Sequence, residues 1–298
     1  MKIYGSLAIA ALVAALALVA GGCGGGEAQT AGEVPSGSET TETEPSDVQT
    51  YRIWFTQGSL PSEAAIGREY LFPVWREGPT TEAVGAEALR LLLDGPTAAE
   101  REPGVDASSQ IPSGTRLLGL DIDGGTATVD LTSEYESGGG SASMFARLAQ
   151  VVYTLTEFDT VKNVRFMLDG EPVDVFSGEG IVLEEPVGRK EYEELMPPIA
   201  VDTPAIGSEV SSPFEVSGSA NVFEANVTLR LLDRNGKELV SRFTTATCGT
   251  GCRGTFSIEI PYQSPVDQPG TLVAQDDDAD GDGKPSFEVR IPVTITQG

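Results

Sequence analysis

The sequence predicts an α+β domain, a two-layer antiparallel sheet with two helices, followed by an all-β sandwich domain. An export leader and a tether precede the pair. Three observations carry this prediction. Between residues 49 and 192, short apolar runs of strand period alternate with two stretches of helical period. From 197 to 298, short strand-like runs follow one another with turn residues between them and no helical period. At the start, Leu7 to Ala20 is one apolar run that stops at Gly21-Gly22-Cys23.

Residues 1–22 read as a bacterial lipoprotein signal. Lys2 gives the positive start, the apolar run is shorter than the ~20 residues of a membrane span, and small residues stand before the cut. The expectation is cleavage before Cys23 and lipid on its thiol, so that the remaining chain works outside the cytoplasm, anchored to the cell membrane. An ordinary cleaved signal peptide and an uncleaved anchor are the alternatives. Residues 23–48 are Gly/Ser/Thr/Glu-rich and hold Glu27, Glu33, Glu39, Glu42, Glu44 and Asp47 with no Lys or Arg. Such a stretch cannot bury a core and reads as a disordered tether, reaching on the order of 25–30 Å.

The first strands expected are Tyr51–Phe55 and Tyr70–Trp75. A helix is expected from about Glu82 to Leu93, with Ala83, Ala86, Leu89, Leu92 and Leu93 as its apolar stripe and Thr80 or Thr81 capping its start. Asp94-Gly95-Pro96 ends it, and Thr97 to Glu100 has the spacing of a capping box. Runs 116–122 and 126–131 flank Asp123-Gly124-Gly125, a hairpin signature. A second helix, about Ala142 to Glu157, buries Phe145, Leu148, Val151, Val152 and Leu155, and a strand at Val161–Leu168 turns at Asp169-Gly170 before Val173–Phe176. In the second domain, strands are expected at Phe214–Ala220, Ala225–Leu232, Glu238–Thr245, Gly254–Ile260, Thr271–Ala274 and Phe287–Val293, with Asn235-Gly236 as a hairpin turn.

Composition narrows the chemistry. The formal charge is -26, and since Lys2 is the only charge in residues 1–22, the remainder carries -27. Nucleic acid and anionic lipid head groups repel such a body, so no nucleic-acid partner is expected. With no histidine in the chain, Ser-His-Asp and Cys-His catalysis and His-ligated zinc are excluded. Neither Gly-x-Ser-x-Gly nor Ser-x-x-Lys occurs. Cys248 and Cys252, the pair left after Cys23, read as a disulfide outside the cytoplasm; it closes a short loop and contributes about 2 kcal/mol.

Three candidate sites remain. Asp276, Asp278, Asp280 and Asp282 match the first half of an Asp-x-Asp-x-Asp-Gly calcium loop, but position twelve is Phe287 and Glu288 falls one place late. Calcium is therefore a candidate cofactor, against a solvated acidic loop. Tyr51, Trp54, Tyr70 and Trp75 form either a glycan-binding platform or core packing. Paired acids such as Glu134 and Glu136 are candidates for glycoside hydrolysis, against ordinary exposed acids.

The stretches Leu91-Leu92-Leu93-Asp94-Gly95-Pro96-Thr97-Ala98-Ala99-Glu100, Ile111-Pro112-Ser113-Gly114-Thr115, Thr128-Val129-Asp130-Leu131-Thr132, Leu148 to Thr156, Val161-Lys162-Asn163-Val164 and Leu168-Asp169-Gly170 occur in order across about 140 residues. In these the chain resembles the GerMN domain of sporulation and spore-germination lipoproteins. Pro204, Gly207, Val210 and Phe214-Glu215-Val216-Ser217-Gly218 resemble the opening of the immunoglobulin-like domain that follows GerMN in spore-germination proteins. In place of that family's basic-polar turn before the last strand stands the acidic loop. The resemblance implies no enzyme but an interaction module in sporulation, germination or envelope assembly, with an envelope protein or peptidoglycan as partner. Peptidoglycan or glycan binding, or calcium-dependent adhesion, is the alternative.

Overall fold

The computed structural model describes residues 48–58, 69–102, 105–277 and 285–298. Cys23, the leader and the tether up to residue 47 lie outside the described residues, as do Asp278, Asp280 and Asp282.

In the first domain, β1 (Val48–Gly58) and β2 (Glu69–Pro79) pair antiparallel along their whole length, and β3 (Ala107–Ser108) adds to the other edge of β1. Tyr51, Ile53, Trp54 and Phe55 of β1 are all buried, so this strand has apolar partners on both faces. The helix α1 (Val84–Leu93) then packs Ala88, Leu89, Leu91 and Leu92 into the core. Its start corrects the expected cap. Ala83 holds the N-cap position, and the Thr81 hydroxyl accepts instead from the Ala83 N–H at 3.1 Å, one step ahead of the helix. The end follows the sequence reading, with Gly95 at φ +74°. Thr97 and Glu100 form the reciprocal box: the Thr97 N–H donates to Glu100 Oε2 at 2.7 Å and the Glu100 N–H to Thr97 Oγ1 at 3.3 Å.

A second sheet is built from β4 (Leu117–Asp123), β5 (Thr126–Leu131), β6 (Asn163–Leu168) and β7 (Glu171–Pro172), in that spatial order. Gly124 and Gly125, at φ +54° and +87°, make the turn between β4 and β5, both in the left-handed region that a tight hairpin needs. The helix α2 (Ser141–Leu155) links β5 to β6, and this crossover makes β5 and β6 parallel. The strands of this domain thus divide between two sheets, with one parallel pair among antiparallel ones. A ribbon of β8 (Val175–Phe176) and β9 (Ile181–Val182) follows. Both helices and both sheets share one core.

The second domain comprises β10 (Ile199–Thr203), β11 (Glu209–Val210), β12 (Phe214–Ala220), β13 (Asn226–Asp233), β14 (Glu238–Thr245), β15 (Gly254–Ile260), β16 (Gln268–Gln275) and β17 (Glu288–Ile295). They form a three-stranded sheet, β10-β12-β15, and a five-stranded sheet, β11-β17-β16-β13-β14. Val227, Leu229 and Leu231 of β13 join Val216, Phe256, Leu272 and Ile291 in one core between them. Gly218 is required where β10 meets β12, since a Cβ there would stand 2.1 Å from the Ala200 carbonyl oxygen. Among the described residues no helix is long and apolar enough to cross a membrane.

Candidate functional site at the domain junction

A cluster of polar and aromatic groups of the first domain gathers where it meets the second. Strand alternation on β1 carries Arg52 to the centre of this junction. Its guanidinium lies 4.8 Å from the Trp54 ring centroid and 5.4 Å from that of Trp75, within cation–π range of both. Nη1 is 3.5 Å from Glu157, while Nη2 pairs with Asp202 of the second domain. Glu157 is a hub: it also accepts from Trp54 Nε1 at 2.9 Å and pairs with Arg189. Arg189 in turn donates to Thr156 Oγ1 at 2.7 Å and to the Tyr153 carbonyl at 3.1 Å, and its guanidinium lies 4.8 Å from the Tyr153 ring. Burial pushes the Tyr153 hydroxyl up to about 12, against the pull of Arg189 and Arg253. It stays neutral at ordinary pH and serves as packing.

From the other side, Arg253 of the second domain donates to the Pro197 carbonyl at 2.8 Å and lies 3.9 Å from Glu193, its guanidinium pKa lowered by burial. Tyr70 is the apolar counterpart. Its backbone belongs to β2, yet its ring is part of the second core, edge-on to Phe287 at 6.1 Å. The crevice beside it, lined by Pro73, Trp75, Ile199, Val201, Asp202 and Ile291, encloses about 40 Å³. That is room for little more than water. The junction therefore holds two domains together through side chains of both.

Tyr51, Trp54 and Tyr70 are buried and only Trp75, 45% exposed, reaches solvent, which removes the aromatic platform and leaves core packing. Glu134 lies on an exposed helical turn (Ser133–Glu136). The Thr132 hydroxyl, the main chain and Arg116 hold its carboxyl below the usual range, the reverse of what a glycosidase acid requires. Cys248 and Cys252 are joined with their Cα atoms 5.7 Å apart, in the corner between β14 and β15. Of the four aspartates considered for calcium only Asp276 lies among the described residues. Its Oδ1 accepts the Phe287 N–H at 2.8 Å, and burial raises its pKa. No cluster of three metal-ligating side chains occurs among the described residues.

Sequence reasoning missed the buried polar side chains Arg147, Gln150 and Thr154 of α2. Arg147 donates to the carbonyls of Tyr135 (2.6 Å), Ser137 (3.1 Å) and Gly138 (3.0 Å), fastening the loop that leads into its own helix. Gln150 accepts the Gln110 N–H at 2.8 Å, and Thr154 accepts the Trp54 N–H at 3.1 Å.

The fold and junction define a class: an α+β domain packed against an immunoglobulin-like sandwich through interlocking side chains. Residues 61–174 match the family Germane, described as sporulation and spore germination. Residues 198–282 match Gmad2, the immunoglobulin-like domain of bacterial spore germination. The two matches follow one another in that order along the chain. Similar solved structures include the tandem GerMN domains of the sporulation protein GerM from Bacillus subtilis, at 15% identity over 72% of this chain and 61% of that one, TM-score 0.40. The first GerMN domain of the same protein is 20% identical over 48% of this chain and 98% of that one, TM-score 0.37. A putative lipoprotein from Clostridium perfringens is 19% identical over 50% and 93%, TM-score 0.33. The chain thus spans 61% of the length of the tandem-domain structure. Curated proteins give no match.

Proposed function

We propose that this protein is a non-enzymatic interaction module of the bacterial cell envelope, held outside the cytoplasm by lipid on Cys23 and acting in sporulation or germination. The observation that carries the reading is the pair of spore-germination domains in order. The sequence of residues 1–22, of lipoprotein-leader type, and the acidic stretch 23–48 support the anchor and the reach. The absence of histidine from the sequence and the lowered pKa of Glu134 favour binding over hydrolysis. Mass spectrometry of the N-terminal peptide from membranes is expected to find it starting at Cys23 with acyl chains attached. An unprocessed Met1 terminus on cytosolic protein would sink the anchor. In-cell cross-linking from the first domain then identifies the partner, and capture of nothing from the envelope would sink the interaction role.

A second reading, a calcium-dependent contact through Asp276, Asp278, Asp280 and Asp282, is favoured by the position of Asp276 at the mouth of that loop. Calorimetric titration with Ca²⁺ decides it: heat at or below about millimolar concentration supports a site of extracellular type, and none removes it.

A further inference from the structure

The strand β4 stands at the edge of the four-stranded sheet and pairs only with β5 among the described residues. Asp121 and Asp123 charge part of this edge, but they leave its aliphatic side chains uncovered. Leu118 is 51% exposed and Ile122 40% exposed, on a strand of seven residues without Lys or Pro. A long edge with open backbone groups and exposed aliphatic side chains is a template for another strand.

The sequence of the strand, Leu117-Leu118-Gly119-Leu120-Asp121-Ile122-Asp123, indicates which strand. Pairing with β5 puts Leu120 opposite Val129 and Ile122 opposite Ala127, both buried, while Gly119 and Asp121 lie opposite Asp130 and Thr128 on the other face. In an antiparallel pair of two copies related by a two-fold axis normal to the sheet, opposed residues must lie on the same face. That leaves registers in which the two residue numbers sum to an even value. A sum of 242 sets Asp121 against Asp121, which like charge disfavours. A sum of 238 centres the contact on Gly119 opposite Gly119, gives only the Leu118–Leu120 pair twice, and leaves Ile122 beyond the overlap. A sum of 240 overlaps the whole strand and sets Leu120 on Leu120, Leu118 on Ile122 twice, Asp121 on Gly119 twice and, at the two ends, Leu117 on Asp123. Three apolar pairs then stand together at the centre of the contact, and each Asp121 carboxylate has the space beside a glycine.

We propose that β4 is a homodimer interface: two copies join edge to edge through antiparallel β4 strands centred on Leu120, making one continuous eight-stranded sheet. The two acids select the register, and the aliphatic pairs supply the contact.

The test is cross-linking of the full chain, purified in detergent, under mild oxidation. The double variant L118C/I122C places the new thiols opposite each other across the two-fold. They lie about 13 Å apart along one strand, too far to close within a chain. It is expected to give disulfide-linked dimer at least about tenfold above L118C alone, whose opposite residue would still be Ile122. Sedimentation of L118K/I122K is expected to show dimer affinity weakened about tenfold, from loss of two cross-strand pairs, with circular dichroism unchanged. The proposal is overturned if the double-cysteine variant links no better than L118C. It is also overturned if D121C alone is the variant that links, or if the unsubstituted chain sediments as a monomer at about 100 μM, a millimolar-or-weaker association.

Discussion

Replacing Tyr70 by Ala should uncouple the two domains. The tyrosine is held by the backbone of one domain and buried, at 6% exposure, in the core of the other. Truncating a buried aromatic costs about 3–5 kcal/mol, of which the edge-on pair with Phe287 supplies about 0.5–1.5. The loss falls on the junction, because β1 and β2 keep the pairing that runs from Val48–Pro79 to Gly58–Glu69. The assay is urea unfolding of residues 46–298, a compact unit, followed by two probes. Tryptophan emission reports the first domain and its face at the junction, since the two tryptophans, Trp54 and Trp75, lie there and Trp75 lines the crevice. Far-ultraviolet circular dichroism reports both domains. The unsubstituted protein should give coincident curves, and Tyr70→Ala should separate them into two transitions. R52A removes the Asp202 pair and both tryptophan contacts; it should cost about 1–2 kcal/mol, and less than additively with Tyr70→Ala, because both residues hold the same junction. Coincident curves for Tyr70→Ala, with a change under about 1 kcal/mol, would refute the reasoning.

R147M keeps most of the buried stem but strips donors from three loop carbonyls; thermal unfolding should show a loss of about 2–4 kcal/mol, with R147K intermediate because an ammonium cannot reproduce the planar fork. The Glu100 carboxyl is pulled upward by burial, but the Arg76 hydrogen bond and the Thr97 N–H outweigh this and hold it below its ordinary value of 4.5. A lowered folded pKa means stability present above about 4.5 and lost as pH falls through the folded value. The Tm gap between the unsubstituted protein and E100Q should therefore shrink between about pH 5 and pH 3, and a gap that grows on acidification would contradict the sign.

Most of the fold was legible because its elements rest on local chemistry. The box at Thr97 and Glu100, the Gly124-Gly125 turn and the alternation of Val227, Leu229 and Leu231 each concern residues a few positions apart. Strands Phe214–Ala220, Glu238–Thr245 and Gly254–Ile260 have the bounds their apolar runs imply. What escaped depends on distant partners. Ile199–Thr203 and Glu209–Val210 are strands only because β12 and β17 lie alongside. The parallel β5–β6 pair depends on where α2 returns the chain. The junction was the least legible part. Arg52 and Asp202 are 150 positions apart, and nothing near either predicts the other. Trp54 and Tyr70 signalled importance by residue type, but type alone could not separate a binding platform from a structural lock.

The charge of the chain acquires a different meaning once the arginines are placed. Arg52, Arg76, Arg147 and Arg253 are largely withdrawn from solvent into ion pairs, aromatic contacts and main-chain carbonyls. Their charge neutralises carboxylates at the junction and under α1 but hardly reaches the surface, so the outer faces are more acidic than the composition suggests. Two such bodies repel at long range, yet this repulsion decays over about 8 Å at physiological salt. Backbone pairing and aliphatic contact act at shorter range than that. Association of two copies through β4 should therefore strengthen as salt is raised, opposite to the response of a complex held by ion pairs, and sedimentation across a salt series separates the two.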